Sequence, residues 1–472
     1  MFPWRFFAFL VVLVLLLSAG WFFFGGRGEV VIKGEEKVMI PEEKSGENLA
    51  RSETPELKLE KEKVVLPVKK LNQDLEFQAR LSNPPEVVKA IYATGWSAGS
   101  RGKVDSLIKL IDETELNAIV IDVKDYSGFI SYEIDTPILK DAGAFGELRI
   151  LKPNELIKKL HDKNIYVIAR VSVFQDPILA KAHPEWAVQS SSTGKTWKDR
   201  KGLAWMDPSA REVWEYNLEI AKDALARGFD EVNFDYIRFP SDGDLEDAIY
   251  PFWDDIAPRS LVIENFFRFL RENLKERQIS VDLFGLTTIA NDDLGIGQIL
   301  EKALPYFDFV APMVYPSHFA NGTMGYKNPA ENPYEIVKGS IESAVQRLVK
   351  YSSLAGTSTE AGLANKRAVS KIRPWFQDFD LGADYDAVKV RAQIDAVEDV
   401  FCGPAPSPDF GDSTNSLAKN NSGSVDQTMS GNRKGRDAQI CDSSSGGLGD
   451  KFGGWMLWDP RNVYTRSALH AD

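Results

Sequence analysis

The chain has 472 residues, 43% of them hydrophobic and 11% aromatic, too apolar for disorder throughout and enough for one large domain or two to three ordinary ones. Its 56 Lys plus Arg against 69 Asp plus Glu give a formal net charge of −13, which argues against a nucleic-acid partner, since phosphate-backbone binding needs a positive footprint. Two cysteines and four histidines exclude a disulfide-dense scaffold and a cysteine-rich zinc module, and their spacing implies neither a metal nor a cofactor.

Phe6 to Phe24 carries no charge. About nineteen apolar residues at 1.5 Å each cover roughly 30 Å, the hydrocarbon thickness of a bilayer. Arg5 before the stretch keeps positive charge inside, so residues 1–26 are expected to form a single transmembrane anchor with the rest of the chain extracytoplasmic. A cleaved signal peptide is the alternative and gives the same side of the membrane. Residues 27–85 mix charges with few aromatics, as in Lys58-Leu-Glu-Lys-Glu-Lys63, and read as a flexible linker.

From residue 86 onward, short β-branched runs alternate with longer helical ones. The expected strands are Ala90–Gly95, Ala118–Lys124, Tyr166–Phe174, Glu231–Phe239, Ser280–Gly285, Phe307–Tyr315, Ile372–Phe379 and Gly454–Trp458. The expected helices are Val104–Glu113, Asn154–Lys163, Asp207 to about Arg227 with Asp207 as N-cap before Pro208, Leu261–Glu276, Ile296–Leu304, Tyr334–Lys350 and Tyr385–Val400. Alternation implies a parallel sheet, and eight units fit an α/β fold of the (β/α)8 TIM-barrel type with loop insertions over residues 86–472. A doubly wound sheet would show a Gly-rich phosphate turn after its first strand, where the chain reads Ala93-Thr-Gly-Trp-Ser-Ala-Gly99 instead. Pro404 to Asp450 is rich in Gly, Ser and Asn and reads as a surface loop; Cys402 and Cys441 bracket most of it and can pair in an exported chain.

In such a barrel alternate strand residues face the axis, and the site lies at the strand C-terminal ends. Asp122 and Lys124 share a face by alternation, as do Arg170 and Ser172, and Asn233 and Asp235. Asp282 lies between Val281 and Leu283. A charge inside a strand costs several kcal/mol if buried unpaired, so these positions are candidates for a site; an ion pair of Asp122 with Lys124 or Arg170 is the structural alternative. Aromatics Trp96, Tyr236, Tyr315, Trp375 and Trp458 fall at strand ends and could stack on sugar rings or fill the core. Asp242-Gly-Asp244 reads as a solvated turn.

Two carboxylates facing each other over a cleft can cleave a glycosidic bond, one protonating the leaving oxygen and the other attacking the anomeric carbon or activating water. Asp235 and Asp282 lie at the ends of neighbouring strands and are the expected catalytic pair, opening together onto one water-accessible hollow. Asp122, Lys124, Arg170, Tyr236, Arg238, Tyr315, Gln377 and Trp458 are the expected substrate-binding residues. No G-x-S-x-G, H-E-x-x-H or P-loop pattern occurs.

The run Asn233-Phe-Asp-Tyr-Ile-Arg-Phe-Pro240 resembles the fourth-strand motif of DUF4015, a glycoside-hydrolase-like domain family distantly similar to the α-amylase clan. Val87-Lys-Ala-Ile-Tyr-Ala-Thr-Gly95, Val120-Ile-Asp-Val-Lys-Asp125, Trp205-Met-Asp-Pro208, Ser280-Val-Asp-Leu-Phe-Gly285, Pro312-Met-Val-Tyr-Pro316 and Gly454-Trp-Met-Leu-Trp458 support the resemblance. It spans most of Val87 to about Arg466. The resemblance implies a TIM barrel, glycoside hydrolysis and, by analogy with the α-amylase arrangement, Asp235 as nucleophile. The acid of that arrangement is a strand-five Glu, where this chain has Asp282. The expected function is therefore hydrolysis of an extracytoplasmic polysaccharide by a membrane-tethered barrel. The rival expectation is a carbohydrate-binding barrel without catalysis.

Overall fold

Eight parallel strands close on themselves, most of them built from short apolar runs covered on both faces. The computed structural model describes residues 73–355, 369–402 and 448–471. The expected anchor, residues 27–72 of the linker, Cys441 and most of the Gly/Ser-rich loop lie outside the described residues. Among the described residues no helix is long and apolar enough to cross a membrane.

The strands are β1 (Val88–Ala93), β2 (Ala118–Lys124), β3 (Tyr166–Ser172), β4 (Glu231–Asp235), β5 (Gln278–Phe284), β6 (Phe309–Met313), β7 in two pieces (Lys371–Ile372 and Trp375–Gln377) and β8 (Gly454–Trp458). Each pairs in parallel with the next, β8 pairs with β1, and Trp375 opposite Met313 completes the ring. Pro374 has no N–H to give the ladder, and β7 breaks there. Every residue of β2 and β3 is buried, the mark of strands packed on both faces.

Among the helices outside the ring are α1 (Arg101–Asp112), α2 (Pro153–His161), α3 (Arg211–Arg227), α4 (Arg259–Asn273), α5 (Leu300–Ala303), α6 (Pro333–Ala355) and α7 (Ala387–Cys402). In α1, Val104, Leu107, Ile108 and Ile111 form one buried stripe at helical spacing. α3 ends on Gly228 at φ 111°, a left-handed residue that glycine adopts without strain. α3 starts at Arg211 rather than at Asp207, because the Asp207 carboxylate is taken by other N–H groups. It accepts from Ser209 N at 2.8 Å, Phe252 N at 2.7 Å and Trp253 N at 3.1 Å, tying the β4–α4 loop down. Cys402, at the end of α7, is disulfide-bonded.

Two apolar clusters result. The larger lies between strands and helices. The smaller fills the barrel interior with Val88, Ala90, Ala118, Val120, Ile168, Ala311 and Met456, and Leu81 packs against it. Residues 74–85, assigned by composition to the linker, are thus bound to the barrel. The Asp74 carboxylate accepts from Asn154 N at 2.9 Å and Glu155 N at 3.0 Å, capping α2, and Leu81 N donates to Asp230 at 2.7 Å.

Candidate active site

The barrel interior is polar at two levels. At the start of β4, Glu231 points inward and meets Arg373, which follows the first piece of β7. Both are fully buried. Tyr166 and Ser280 hydroxyls donate to the same carboxylate, so the charge is paired and its lone pairs are used. This is a structural plug below the site. Sequence reading missed it, although the alternation that turns Asn233 and Asp235 inward also turns Glu231 inward.

The upper level is organised by one guanidinium. Arg170 of β3 donates through Nη1 to Asp122 Oδ1 at 2.6 Å and through Nη2 to Asp235 Oδ2, while its Nε lies 3.7 Å from Asp282 Oδ2. Three carboxylates from β2, β4 and β5 therefore surround one cation. Burial works against the guanidinium charge, but Asp122 and Asp235 outweigh it and hold Arg170 well above the usual arginine value. The plane is fixed by aromatics: Trp458 lies 5.1 Å and Tyr92 5.7 Å from the guanidinium, and the two rings stack at 3.9 Å. The Tyr92 hydroxyl donates to Asp122 Oδ2. Tyr92 was not among the expected site residues; it is the inward residue at the end of β1, which the alternation rule could have found.

The carboxylates differ in their surroundings. Asp282 Oδ1 accepts from Asn233 Nδ2 at 2.9 Å and Trp375 Nε1 at 2.8 Å. Burial first, and the neighbouring Asp235 charge second, push Asp282 up to about 8, so it holds a proton at neutral pH. Burial likewise raises Asp122 to about 6, against the pull of Arg170. Asp235 Oδ1 accepts from Tyr236 N at 2.6 Å, so both its oxygens meet donors suited to a charged carboxylate.

Tyr236 explains why β4 ends at Asp235 and not at Phe239 as expected. Its φ is +53°, a left-handed conformation that costs a tyrosine about 1–2 kcal/mol. The turn aims Asp235 along the barrel axis and carries Tyr236 and Arg238 onto the rim. Strain of this kind collects at functional sites. Burial, then the Asp235 charge, pushes the Tyr236 hydroxyl up to about 12. Tyr315 is buried in the interior cluster, and the charges of Asp282 and Asp235 reinforce the effect of burial in raising it.

Three expectations need correction. The register shifts between Asp122 and Lys124, so Lys124 does not share the Asp122 face. Its ammonium turns outward to α3, 2.7 Å from Asp176 and 2.9 Å from Asn217 Oδ1, and is fully buried there. Gln377 spends its amide on the chain: Oε1 accepts from Ser317 Oγ at 2.7 Å and Nε2 donates to Phe379 O at 2.8 Å. The carboxylates of Asp235 and Asp282 converge but do not open onto a free hollow, being 5% and 1% exposed. Asp122, Arg170, Asp235, Asp282 and Trp458 do come together, and Arg170 Nε and Asn233 Oδ1 are buried beside Asp282 without hydrogen-bond partners. Orphaned polar atoms at one level of a barrel are where a polar guest would be satisfied.

A cavity of about 470 Å3 lies on the loops, lined by Lys198, Asp199, Arg200, Gly243 and Asp244. None of the three carboxylates lines it. Among the described residues no group of three or more His, Cys, Asp or Glu side chains is arranged to hold a metal ion.

The sequence profile of DUF4015, described as "Putative glycosyl hydrolase domain", matches residues 90–403. No curated protein matches the sequence. Among solved structures, a hypothetical protein from Ruminiclostridium thermocellum is 35% identical and covers 44% of this chain and 98% of its own, with a TM-score of 0.38. The PgaB (BpsB) glycoside hydrolase domain of Bordetella bronchiseptica is similar at 13% identity over 82% of this chain and 99% of its own, with a TM-score of 0.48. The GH20 exo β-N-acetylglucosaminidase of Vibrio harveyi is 11% identical over 65% of this chain and 46% of its own, with a TM-score of 0.39.

Proposed function

Since the chain belongs to the DUF4015 family of glycosyl-hydrolase domains, we propose that it cleaves a glycosidic bond in an extracytoplasmic polysaccharide, with Asp235 and Asp282 as its two carboxylates. The observation that carries this reading is the opposed setting of the pair. Asp235 is held by donors that favour its charge, while Asp282, sharing the same guanidinium, is pushed up to about 8. An acid that keeps its proton at neutral pH, set beside a second carboxylate that two donors hold in place, is what the reaction needs. Asp282 gives its proton to the leaving oxygen, and Asp235 attacks the anomeric carbon or takes a proton from water. Arg170, Tyr92 and Asp122 position Asp235. Tyr236, Arg238, Tyr315 and Trp458 line the sugar's path. The Arg170–Asp235 pair must part for a sugar to reach Asp282. The segment expected at residues 1–26 would hold the barrel outside the membrane.

A second reading, a carbohydrate-binding barrel without catalysis, draws on the near-complete burial of Asp282. Release of new reducing ends from a panel of soluble polysaccharides separates the two. Retention of a polymer on the protein with no new ends over long incubation would favour binding and defeat the hydrolase reading.

A further inference from the structure

Arg238 is an unusual cation. It follows β4 by three residues and is 8% exposed. Its guanidinium lies 4.6 Å from the Trp205 ring, 4.8 Å from Phe284 and 5.4 Å from Tyr236. Nη1 is used: it donates to Phe239 O at 3.1 Å and to Ser241 Oγ at 3.2 Å. Nε and Nη2 donate to nothing among the described residues. These two atoms form one edge of the guanidinium fork, the edge that takes a carboxylate through two parallel bonds.

The acids that face Arg238 do not pair with it. Asp235, Asp242 and Asp199 all act on it electrostatically, but none lies within ion-pair distance. Asp235 is held by Arg170 and Tyr236 N. The Asp199 carboxylate accepts from Lys201 N at 2.9 Å, Leu203 N at 2.9 Å and Trp205 Nε1 at 3.1 Å. Tyr236 supplies a ring face, its hydroxyl being neutral at physiological pH. Burial consequently lowers the Arg238 value, where three nearby acids would otherwise raise it. A buried guanidinium is costly unless an anion meets it. In a chain of net charge −13 such a site does not arise from general basicity.

The surroundings suit a polymer. Trp205 touches both Arg238 and Asp199, and Asp199 lines the loop cavity. Lys198 and Arg200 also line that cavity, and neither they nor Lys201 has an ion-pair partner among the described residues. Asp244, on the facing loop, is the cavity's other acid. From these placements we propose that the glycan is acidic, and that a sugar carboxylate next to the scissile bond seats on the Nε/Nη2 edge of Arg238. This names the substrate class of the hydrolase proposed above, and only the position next to the scissile bond rests on that reading.

The test is affinity electrophoresis of the full-length chain carrying Asp235→Asn, so that no polymer is cut, in gels containing polygalacturonate, its methyl ester, dextran or dextran sulfate. The expected result is retardation by polygalacturonate only. Arg238→Met should weaken it roughly 10–100-fold, the loss for a charge-assisted pair, and Arg238→Lys should restore only part, since a lysine lacks the fork. Equal retardation by the methyl ester, or no retardation by polygalacturonate, overturns the proposal. Retardation by dextran sulfate alone overturns the carboxylate assignment in favour of an ester anion. The polymer comparison needs no Arg238 variant, so it stands even if Arg238→Met fails to fold. Binding of polygalacturonate without any cleavage by the wild type would defeat the hydrolase reading and leave the acidic-glycan site standing.

Discussion

Replacing Arg170 by leucine removes the one cation between Asp122, Asp235 and Asp282 and leaves the acids buried. Breaking a buried ion pair from one side costs about 3–5 kcal/mol. Protonation sets a ceiling on that cost. Neutralising a carboxylate with an ordinary value near 3.9 at pH 7 takes about 4 kcal/mol, at about 1.4 kcal/mol per pH unit. Asp282, already near 8, is protonated at pH 7 and adds little. Asp122, already near 6, adds at most about 1.4 kcal/mol, so breaking the Arg170–Asp235 pair carries most of the penalty, and a loss of about 3–5 kcal/mol is expected at pH 7. The sign with pH follows from linkage. Buried acids without their cation have folded values above their unfolded ones, so the folded state binds more protons and stability falls as pH rises from about 4. Going from pH 7 to pH 5 should return about 1 kcal/mol of the deficit through Asp122, already near 6, and up to about 3 kcal/mol through any acid that is ionised at both pH values in the wild type. Urea denaturation of wild type and Arg170→Leu at both pH values, followed by tryptophan fluorescence, measures this. A loss under about 1 kcal/mol at pH 7, or a deficit equal at the two pH values, would refute the picture of one guanidinium shared by three acids.

Other expectations follow from the same geometry. With Asp282 as the acid, kcat/KM should fall as pH rises through about 8, because the raised group then loses the proton it donates. Trp375→Phe removes a donor that holds Asp282 down, so that alkaline limb should move upward; an unmoved limb would detach Asp282 from it. Gly454→Ala places a Cβ 1.9 Å from Val88 O at φ 98°, where strain and overpacking together should cost about 2–5 kcal/mol by chemical denaturation. A wild-type unfolding midpoint in Gly454→Ala would show that β8 is not pinned to β1 there.

Most strands were legible because they are short apolar runs, several of them rich in Val and Ile, bounded by turns, and covering both faces demands that composition. Alternation placed Asp122, Arg170, Asp235 and Asp282 correctly, since a parallel barrel has two faces and these residues take the inner one. What it could not show were departures from strand geometry. Nothing in Val120-Ile-Asp-Val-Lys-Asp125 announces the register shift that sends Lys124 to Asp176. Tyr236 has no glycine-like signature, yet its left-handed backbone ends β4 four residues early and puts Arg238 on the rim. Asp207 looked like an N-cap because Pro follows it, and it does accept from Ser209 N, but its other partners, Phe252 and Trp253, are more than forty residues away. Long-range pairings of that kind have no local trace. Glu231 with Arg373 is another, since their meeting across the barrel depends on closure of the ring.

The most direct measurement is turnover of the wild type beside Asp235→Asn on whichever polysaccharide of a soluble panel yields new reducing ends, with both proteins matched for unfolding midpoint. Loss of all measurable release in Asp235→Asn, with the fold intact, is the predicted result. Release at the wild-type rate from that variant would mean that the chemistry, if there is any, happens elsewhere on the barrel.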